Sequence, residues 1–371
     1  MPEESAHRGR AGFGLPAPRR AYCPGRVNLI GDHTDYNGGL ALPMAVDIGT
    51  TVVFEADEGH LVVLRSDQEE EHAEVHVRIP LDHAVLRGVQ PRWARYVAGI
   101  VGAVRPRTGG WGQVTTDLPV GAGLSSSAAL CVSMALALGF EGPSLRLARV
   151  CQRGEEAATG VQGGMMDQVV TTHAVEGSAL LIDFADLAAR PVRLPEGAEF
   201  VVVHSGQQRN LAATAYSARR AECEAASFHL GPLGHVGAET ILGSPDATLR
   251  RRARHVVTEC DRVRWFAQAM SSGDLAEAGR LMTQSHQSLA SDFEVSTRAL
   301  DELVAHLLGL PGVHGARLTG AGFGGCVVAL CEPGALDPSS FTTPAWRVRA
   351  AGCATVEELE GGQQGQSEVC D

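Results

Sequence analysis

The chain has 371 residues, of which 44% are hydrophobic, a length that allows two ordinary domains with well-formed cores. Its formal net charge is −12, and all 31 basic residues are arginine. The acidic balance argues against a nucleic-acid footprint or an anionic-membrane surface. The absence of lysine excludes the common P-loop, whose lysine reaches the phosphates, so a nucleotide site here must use backbone amides and arginine.

The cysteine pattern and the apolar runs bear on the compartment. Nine cysteines are scattered along the chain, an odd number with no CxxC pair and no spacing suited to zinc. No apolar run reaches the roughly 18 residues of a membrane span, and the N-terminal residues lack the apolar core of a signal peptide. We therefore expect reduced thiols and a cytoplasmic protein.

Residues 1–20 are small, polar and proline-containing, without periodicity, and predict a mobile tail. Residues 21–49 then read AYCPGRVNLIGDHTDYNGGLALPMAVDIG. Twelve residues of this stretch hold five side chains able to grip hydroxyl groups: Arg26, Asp32, His33, Asp35 and Asn37. A charged loop before a strand is the simpler interpretation.

A metal site is a second interpretation of the same loop. A calcium loop is excluded because Val46 stands where the bidentate glutamate belongs. An isolated metal site built from Asp32, His33 and Asp35 stays open.

Residues 50–79 contain three segments rich in β-branched residues, which predict strands of an antiparallel sheet. Residues 92–104, RWARYVAGIVGAV, then predict a helix with an apolar face. Trp93 and Tyr96 lie three residues apart on it. Such aromatics more often belong to a core, but one of them is a candidate for the wall of an adenine pocket.

The stretch from Pro119 to Leu130 reads PVGAGLSSSAAL and leads into an uncharged segment that predicts a buried helix. Gly121 and Gly123 free the backbone for a tight turn directly before the helix. A helix N-terminus offers unpaired N–H groups and a partial positive charge, which suit a phosphate. An ordinary serine N-cap is the alternative.

The rest of the chain predicts further helices and strands. Glu155 lies on a second helix, and Asp167 stands in the apolar run GGMMDQVV, as an N-cap or as a working group with a partner cation. Residues 320–325 match GxGxxG, but the fingerprint needs a helix next, and CVVALC predicts a strand instead. A dinucleotide site is therefore rejected.

Three of these stretches, GRVNLIGDHTDYNGG, PVGAGLSSSAA and LTGAGFGGC, resemble in order and spacing the motifs of the GHMP small-molecule kinases. The first resembles the galactokinase signature in particular. The resemblance implies a two-domain α+β fold with the active site in the cleft between the domains. It divides the chain into an N-terminal kinase domain over 21–185, a ferredoxin-like α+β domain over 186–355 and an acidic tail over 356–371.

The resemblance implies an activity, namely transfer of a phosphoryl group from ATP to the C1 hydroxyl of galactose with Mg²⁺. It also implies a monomer without nucleic-acid or membrane partners. Arg26 and Asp167 match the catalytic pair, in which an arginine neutralises charge on the transferred phosphoryl and a carboxylate orients the attacking hydroxyl and accepts its proton.

Further site residues follow from the same resemblance, position by position. The sugar-contacting positions are Asp32, His33, Asp35, Gly164 and Tyr216. The phosphate loop is matched by Gly121, Gly123, Leu124, Ser125, Ser126 and Ser127. Ser127 and Glu155 match the Mg²⁺-holding positions, and Trp93 falls where the family lines the adenine pocket.

This chain departs from the family pattern in three places. Asp32 replaces the usual glutamate, Glu156 stands where a histidine is commoner, and about the last 35 residues do not resemble the expected terminal helix and strand. The shorter Asp32 leaves open a kinase for another sugar, such as N-acetylgalactosamine or arabinose. A non-catalytic sugar sensor is an alternative from another functional class.

Overall fold

The computed structural model describes residues 15–67, 75–79, 89–91, 93–119, 121–207, 212–244 and 246–360. Its strands are β1 (Arg19–Asn28), β2 (Leu40–Ala41), β3 (Pro43–Ala56), β4 (Leu61–Ser66), β5 (Val75–Arg78), β6 (Gly110–Thr116), β7 (Ser178–Asp183), β8 (Ala188–Arg193), β9 (Glu199–His204), β10 (Val313–Thr319), β11 (Cys326–Cys331), β12 (Ala345–Val348) and β13 (Thr355–Glu358). Its helices are α1 (Ala94–Val104), α2 (Ser126–Ala137), α3 (Ser144–Thr159), α4 (Met166–His173), α5 (Ala212–Leu230), α6 (Ala247–Ser272), α7 (Leu275–Ser291) and α8 (Arg298–Leu308).

A six-stranded sheet in the order β13-β1-β3-β6-β4-β5 forms the first layer of the fold. The predicted strands between residues 50 and 79 lie in it, and β4–β5 and β3–β6 pair antiparallel as expected. The pairing of β4 with β6 is parallel, because a connection through β5 and α1 returns the chain in the same direction.

Helix α2 packs on this sheet and is covered by α1, α3 and α4. Nine of its twelve residues are buried, which explains why the sequence of α2 carries no charge and shows no polar face. The buried position fixes the N-terminus of α2 at the end of β1, where the site described below is built.

The second half of the chain forms a four-stranded antiparallel sheet in the order β10-β11-β9-β12. Helices α7 and α8 pack on β10, and α6 packs on both α5 and α7. The residues after β10 turn through a glycine loop into strand β11, so the expectation of a strand after GxGxxG is confirmed. Gly320, Gly322 and Gly325 all have positive φ, which this tight turn requires.

Two links join the halves of the chain. A small sheet in the order β2-β7-β8 contains the predicted boundary between residues 185 and 186, which falls in the β7–β8 turn. Strand β13 pairs with β1, so the first residues of the predicted acidic tail belong to the six-stranded sheet. Arg19 and Arg20, assigned to the N-terminal tail, belong to β1, and residues 1–14 and 361–371 of the two predicted tails lie outside the described residues. The domain boundaries stay a prediction.

Within the described part of the chain, no helix is long and apolar enough to cross a membrane. The eight cysteines that are described there are free thiols, and seven of them are buried. The expected reduced state is therefore consistent with the fold, and the cytoplasmic location stays a prediction.

Helices α1 and α3 touch at two glycines. A Cβ built on Gly99 would lie 2.1 Å from the carbonyl oxygen of Gly154, and a Cβ on Gly154 would lie 2.5 Å from Cδ1 of Ile100. The helices can approach this closely only because neither position has a side chain. The contact places the residue after Gly154, Glu155, at a fixed height beside α2.

We expect Gly99→Ala to destabilise the protein by about 1–3 kcal/mol, because the added methyl forces two packed backbones apart. This loss exceeds the gain of about 1 kcal/mol that alanine brings to a helix. Thermal melting of the two proteins measures the effect. Gly352→Ala is the control, since no atom lies within 4 Å of that Cβ position. Equal melting temperatures for Gly99→Ala and the parent chain would contradict the analysis.

Candidate active site

A cleft of about 410 Å³ opens between the two halves of the chain. Its walls come from the 31–39 loop, from α3 and α4, from Tyr216 on α5 and from the glycine loop after β10. A cavity of this size suits a small ligand held by a few polar groups. The cleft holds most of the residues that the sequence singled out, namely Arg26, Asp32, His33, Asp35, Glu155, Gly164, Asp167 and Tyr216.

Arg26 and Asp167 form an ion pair at the base of the cleft. Nε of Arg26 donates to Oδ1 of Asp167 at 2.8 Å, and a second guanidinium nitrogen lies 2.7 Å from the same oxygen. Arg26 is buried, at 8% exposure, whereas the side chain of Asp167 is 26% exposed toward the cleft. The third guanidinium nitrogen of Arg26 donates to the carbonyl oxygen of Gly123 at 2.5 Å. One arginine therefore joins the carboxylate to the glycine turn before α2.

Ser125 holds the other oxygen of the same carboxylate. Its φ is +61°, in the left-handed region, and its hydroxyl donates to Oδ2 of Asp167 instead of capping α2. The alternative of an ordinary serine N-cap is therefore wrong. Asp167 lies in the first turn of α4, whose N-cap is Met165 and shows no side-chain cap bond, so Asp167 is paired with a cation as the second alternative supposed. Strained backbone of this kind is typical of functional sites.

The glycine turn is tied to β1 by its backbone. The amide of Arg26 donates to the carbonyl of Leu124 at 3.1 Å. Gly121 and Gly123 have φ values of +79° and +87°, which side-chain-bearing residues rarely adopt. Ser126 and Ser127 begin α2 directly after the turn, so the amides of the helix end follow Ser125, whose hydroxyl bonds to Asp167.

Glu155 on α3 lies across from Ser127. The Ser127 hydroxyl donates to Oε1 at 2.6 Å, and Nε2 of Gln168 donates to Oε2 at 2.6 Å. Burial raises the pKa of the Glu155 carboxyl to about 7, and the charge of Asp167 adds to this rise. Sequence reasoning missed Gln168, which adjoins Asp167 in the chain. Gln168 is a polar residue on the buried side of a helix, three residues before Thr171, and this position was the available signal.

Both carboxylate oxygens of Asp32 accept hydrogen bonds from the second half of the chain. Its Oδ2 accepts from the guanidinium of Arg317 on β10, and its Oδ1 accepts from the amide of Gly320 at 3.0 Å. Arg317 is fully buried, and the sequence reasoning missed it, although an arginine inside the apolar strand sequence GARLTG was a visible signal. Asp32 lines the cleft, with both carboxylate oxygens already engaged.

The isolated metal site left open for Asp32, His33 and Asp35 is not formed. Among the described residues, no group of three or more His, Cys, Asp or Glu side chains is arranged to hold a metal ion.

His33 and two tyrosines form an aromatic corner of the cleft. Nδ1 of His33 lies 3.0 Å from the hydroxyl of Tyr36, and the His33 ring centroid is 5.8 Å from that of Tyr216. Burial lowers the pKa of His33 to about 3, so the imidazole is neutral. A neutral ring can both donate and accept a hydrogen bond with a hydroxyl group.

Asp35 occupies the space left by a missing side chain. A Cβ on Gly164 would lie 1.5 Å from Oδ2 of Asp35, so only glycine at 164 allows this carboxylate its position. Burial, together with the charge of Asp167, raises the pKa of Asp35 to about 6. Asp35 and Asp167 therefore lie close enough in the cleft to interact.

Trp93 precedes α1 and packs partly buried against the main hydrophobic core. The described lining of the cleft contains Arg95 and Tyr96 from this helix. The role of Trp93 in an adenine pocket stays a prediction. Of the two aromatic candidates on this stretch, Trp93 and Tyr96, Tyr96 is the one that lines the cleft.

Comparison with known proteins identifies this arrangement. Residues 10–56 match the family model described as the galactokinase galactose-binding signature. Residues 95–174 match the N-terminal domain of GHMP kinases, and residues 266–337 match their C-terminal domain. The predicted motifs of the 31–39 loop and the glycine turn lie inside these segments.

Curated relatives cover most of the chain. It is 39% identical over 348 residues to the galactokinase of Chloroflexus aggregans, a match over 88% of this chain and 87% of that protein. It is also 39% identical over 340 residues to the human galactokinase, with the same shares of both chains.

Solved structures agree with these matches. Lactococcus lactis galactokinase, solved in complex with galactose, superposes with a TM-score of 0.82 at 28% identity, over 92% of this chain and 95% of that one. Methanococcus jannaschii mevalonate kinase shares the fold at 18% identity, with a TM-score of 0.64 over 92% of this chain and all of that one. The two-domain α+β fold with its cleft is thereby confirmed, and the chain belongs to the galactokinase family of GHMP kinases.

Proposed function

We propose that the cleft transfers the γ-phosphoryl group of ATP to the C1 hydroxyl of galactose. The observation that carries this proposal is the joining of Asp167 to Arg26 and Ser125, directly between the 31–39 loop and the glycine turn before α2. A loop rich in hydroxyl-binding groups on one side and a helix N-terminus on the other suit a sugar and a polyphosphate.

Asp167 is the group that orients the attacking hydroxyl. Its carboxylate is fixed by Arg26 and Ser125, so its remaining lone pairs can accept a hydrogen bond from a sugar hydroxyl in one direction. The bond from the γ-phosphorus to the oxygen that bridges it to the β-phosphate breaks, and ADP leaves with that oxygen. The proton of the sugar hydroxyl passes to a carboxylate oxygen of Asp167 as the new phosphorus–oxygen bond forms. Because phosphoryl transfer is loose, this proton moves late, and a weak base is sufficient.

Arg26 places positive charge beside the transferred group. Its guanidinium already bridges Asp167 and the carbonyl of Gly123, and it needs no movement to face charge that develops on phosphoryl oxygens. Fixed donors of this kind stabilise a transition state more than a ground state, because their orientation is set before the reaction.

The donor set around Ser127 and Glu155 fits Mg²⁺. Their oxygens lie 2.6 Å apart, and hydroxyl and carboxylate oxygens are ligands of this hard cation. Mg²⁺ would take its other ligands from phosphate oxygens and water, as is usual for this ion. When bound, the ion would offset the charge of Glu155 beside a polyphosphate.

The sugar is held by the 31–39 loop, with Asp35, His33 and Tyr216 as hydroxyl partners. Asp32 contributes mainly by holding the loop against Arg317 and Gly320, and its engaged carboxylate keeps capacity for one more hydroxyl group. A sugar of the wrong epimeric form leaves a buried polar group of the protein without its hydrogen-bond partner. The lost bond weakens binding of that sugar, which is the basis for discrimination between sugars.

The substitution Asp167→Asn tests the catalytic role. We expect turnover to fall by about 10²–10⁴-fold, because an amide can still orient a hydroxyl but does not accept its proton. Galactose binding, measured by calorimetry, should remain, since Arg26 can still donate to the amide oxygen. The control is Asp337→Asn, an exposed cap residue of a short 3-10 turn. Near-normal turnover of Asp167→Asn would reject this role.

A panel of free sugars tests the substrate. We expect ADP release, followed by a coupled assay, with galactose and far less with its C4 epimer glucose. Equal rates with the two epimers would refute galactose as the preferred substrate, and a higher rate with N-acetylgalactosamine or arabinose would assign another sugar. Binding of sugar and ATP without any ADP release would favour a non-catalytic sensor.

The raised pKa of Asp35 predicts a pH dependence of sugar binding. Above pH 6 the carboxylate is charged and accepts strong hydrogen bonds, whereas below pH 6 it is protonated and binds the sugar more weakly. The dissociation constant of galactose, measured by calorimetry with a non-hydrolysable ATP analogue and Mg²⁺, should therefore rise as the pH falls from 7 to 5. Asp35→Asn should bind weakly at every pH without this slope. A slope that persists in Asp35→Asn would assign it to another group.

A further inference from the structure

Helix α6 lies directly under the 31–39 loop, although it belongs to the second half of the chain. A Cβ on Gly39 would lie 2.7 Å from Sγ of Cys260 on this helix, so helix and loop are in close contact. Two other side chains of α6, His255 and Glu259, are spaced one helical turn apart and point to the same face. Both are fully buried, and both bond to the backbone of the loop.

Glu259 holds the first residue of the loop. Its Oε1 accepts from the amide of Gly31 at 3.0 Å and from the hydroxyl of Ser285 at 2.5 Å, and its Oε2 accepts from Nε of Arg262 at 2.7 Å. Burial is the largest influence and opposes ionisation, but the charges of Arg262 and other neighbours and the hydrogen bond from Ser285 together outweigh it and lower the pKa of Glu259 to about 2. The Gly31 amide therefore donates to a charged carboxylate, a stronger bond than one between neutral groups.

His255 holds the next residue. Its Nε2 lies 3.1 Å from the carbonyl oxygen of Asp32, which can only accept, so Nε2 carries the proton. Nδ1 lies 2.9 Å from the hydroxyl of Ser288 and accepts from it, because burial lowers the pKa of His255 and keeps the ring neutral. The tautomer is thus fixed by the two partners.

These bonds matter because the loop has an unusual backbone. Gly31 has a φ of +97° and His33 a φ of +65°, and the side chain of His33 faces the cleft from this strained position. Such a conformation persists only where the surroundings hold it. The Asp32 carboxylate is held from the glycine loop after β10, and the backbone on either side of it is held from α6.

We propose that His255 and Glu259 are positioning residues for the sugar, which fix the 31–39 loop through the carbonyl of Asp32 and the amide of Gly31. They do not line the described cleft, and they act through the loop. The proposal rests on the proposed function only in naming galactose as the ligand. The second half of the chain thereby sets the geometry of a sugar-binding loop that the first half supplies.

Substitution of His255 or Glu259 by glutamine or by methionine tests the positioning role. The two introduced side chains have nearly the same length, but only glutamine offers polar atoms that can replace the lost hydrogen bond. We expect Glu259→Met and His255→Met each to raise KM for galactose about tenfold, the effect of losing one buried bond to the loop. Glu259→Gln and His255→Gln should stay within about threefold, because the amide can replace the lost acceptor or donor. KM for ATP should change less than about twofold in all four, since the glycine turn before α2 is held by Arg26 and, through Ser125, by Asp167.

Glu199 offers a matched control for the loss of a charged pair. Its Oε1 accepts from the amide of Gly334 at 3.2 Å and its Oε2 lies 3.0 Å from Nε of Arg347, the same pattern as Glu259 but away from the loop. Glu199→Met should lower the melting temperature without raising KM for galactose. If Glu259→Met and His255→Met behave in the same way, with unchanged KM, the proposal is overturned.

Hydrogen exchange provides a readout that does not depend on activity. Peptides covering residues 28–40 should exchange faster in Glu259→Met and His255→Met than in the parent chain, and Glu199→Met should leave them unchanged. Faster exchange together with no activity of the parent chain on galactose would reject the proposed substrate and keep the positioning role. Unchanged exchange in both α6 variants would overturn the positioning role whatever the substrate.

Discussion

The partly buried ion pair between Arg26 and Asp167 is the interaction on which the cleft depends. Each charge would be costly to bury alone, and each is compensated by the other across 141 residues of sequence. The bond from Arg26 to Gly123 and the bond from Ser125 to Asp167 extend the pair into the glycine turn. Strand β1, helix α4 and the N-terminus of α2 are thereby held in one arrangement, and the proposed catalytic residues lie at their junction.

The carboxyl groups of the cleft differ in whether an arginine pairs with them. Asp32 and Asp167 are each paired with an arginine, whereas burial raises the pKa values of Asp35 and Glu155 to about 6 and about 7. No arginine pairs with these two carboxyls in the described structure, and they are the groups proposed above to meet a sugar hydroxyl, at Asp35, and a cation, at Glu155.

Close backbone contacts bring the elements of the site into range. Gly99 and Gly154 let α1 and α3 touch, and Gly164 leaves room for the Asp35 carboxylate. The same principle operates between the halves of the chain, where α6 meets the 31–39 loop at Gly39. In each case the glycine has no side chain, so another part of the chain can approach its backbone closely. A polar residue near the glycine is brought into its position by this close approach.

The sequence determined the element types, the two glycine turns and the residues that line the cleft as candidates for the site, because periodicity, turn chemistry and motif order are local properties. It also supported the family, which the comparisons confirm. Only the tertiary structure decided the partners of those residues. Ser125 bonds to Asp167 and not to its own helix, and Asp32 is committed to Arg317, because both contacts join segments far apart in the chain. Buried polar partners such as His255 and Glu259 carry no local pattern, since their role exists only when the two halves meet.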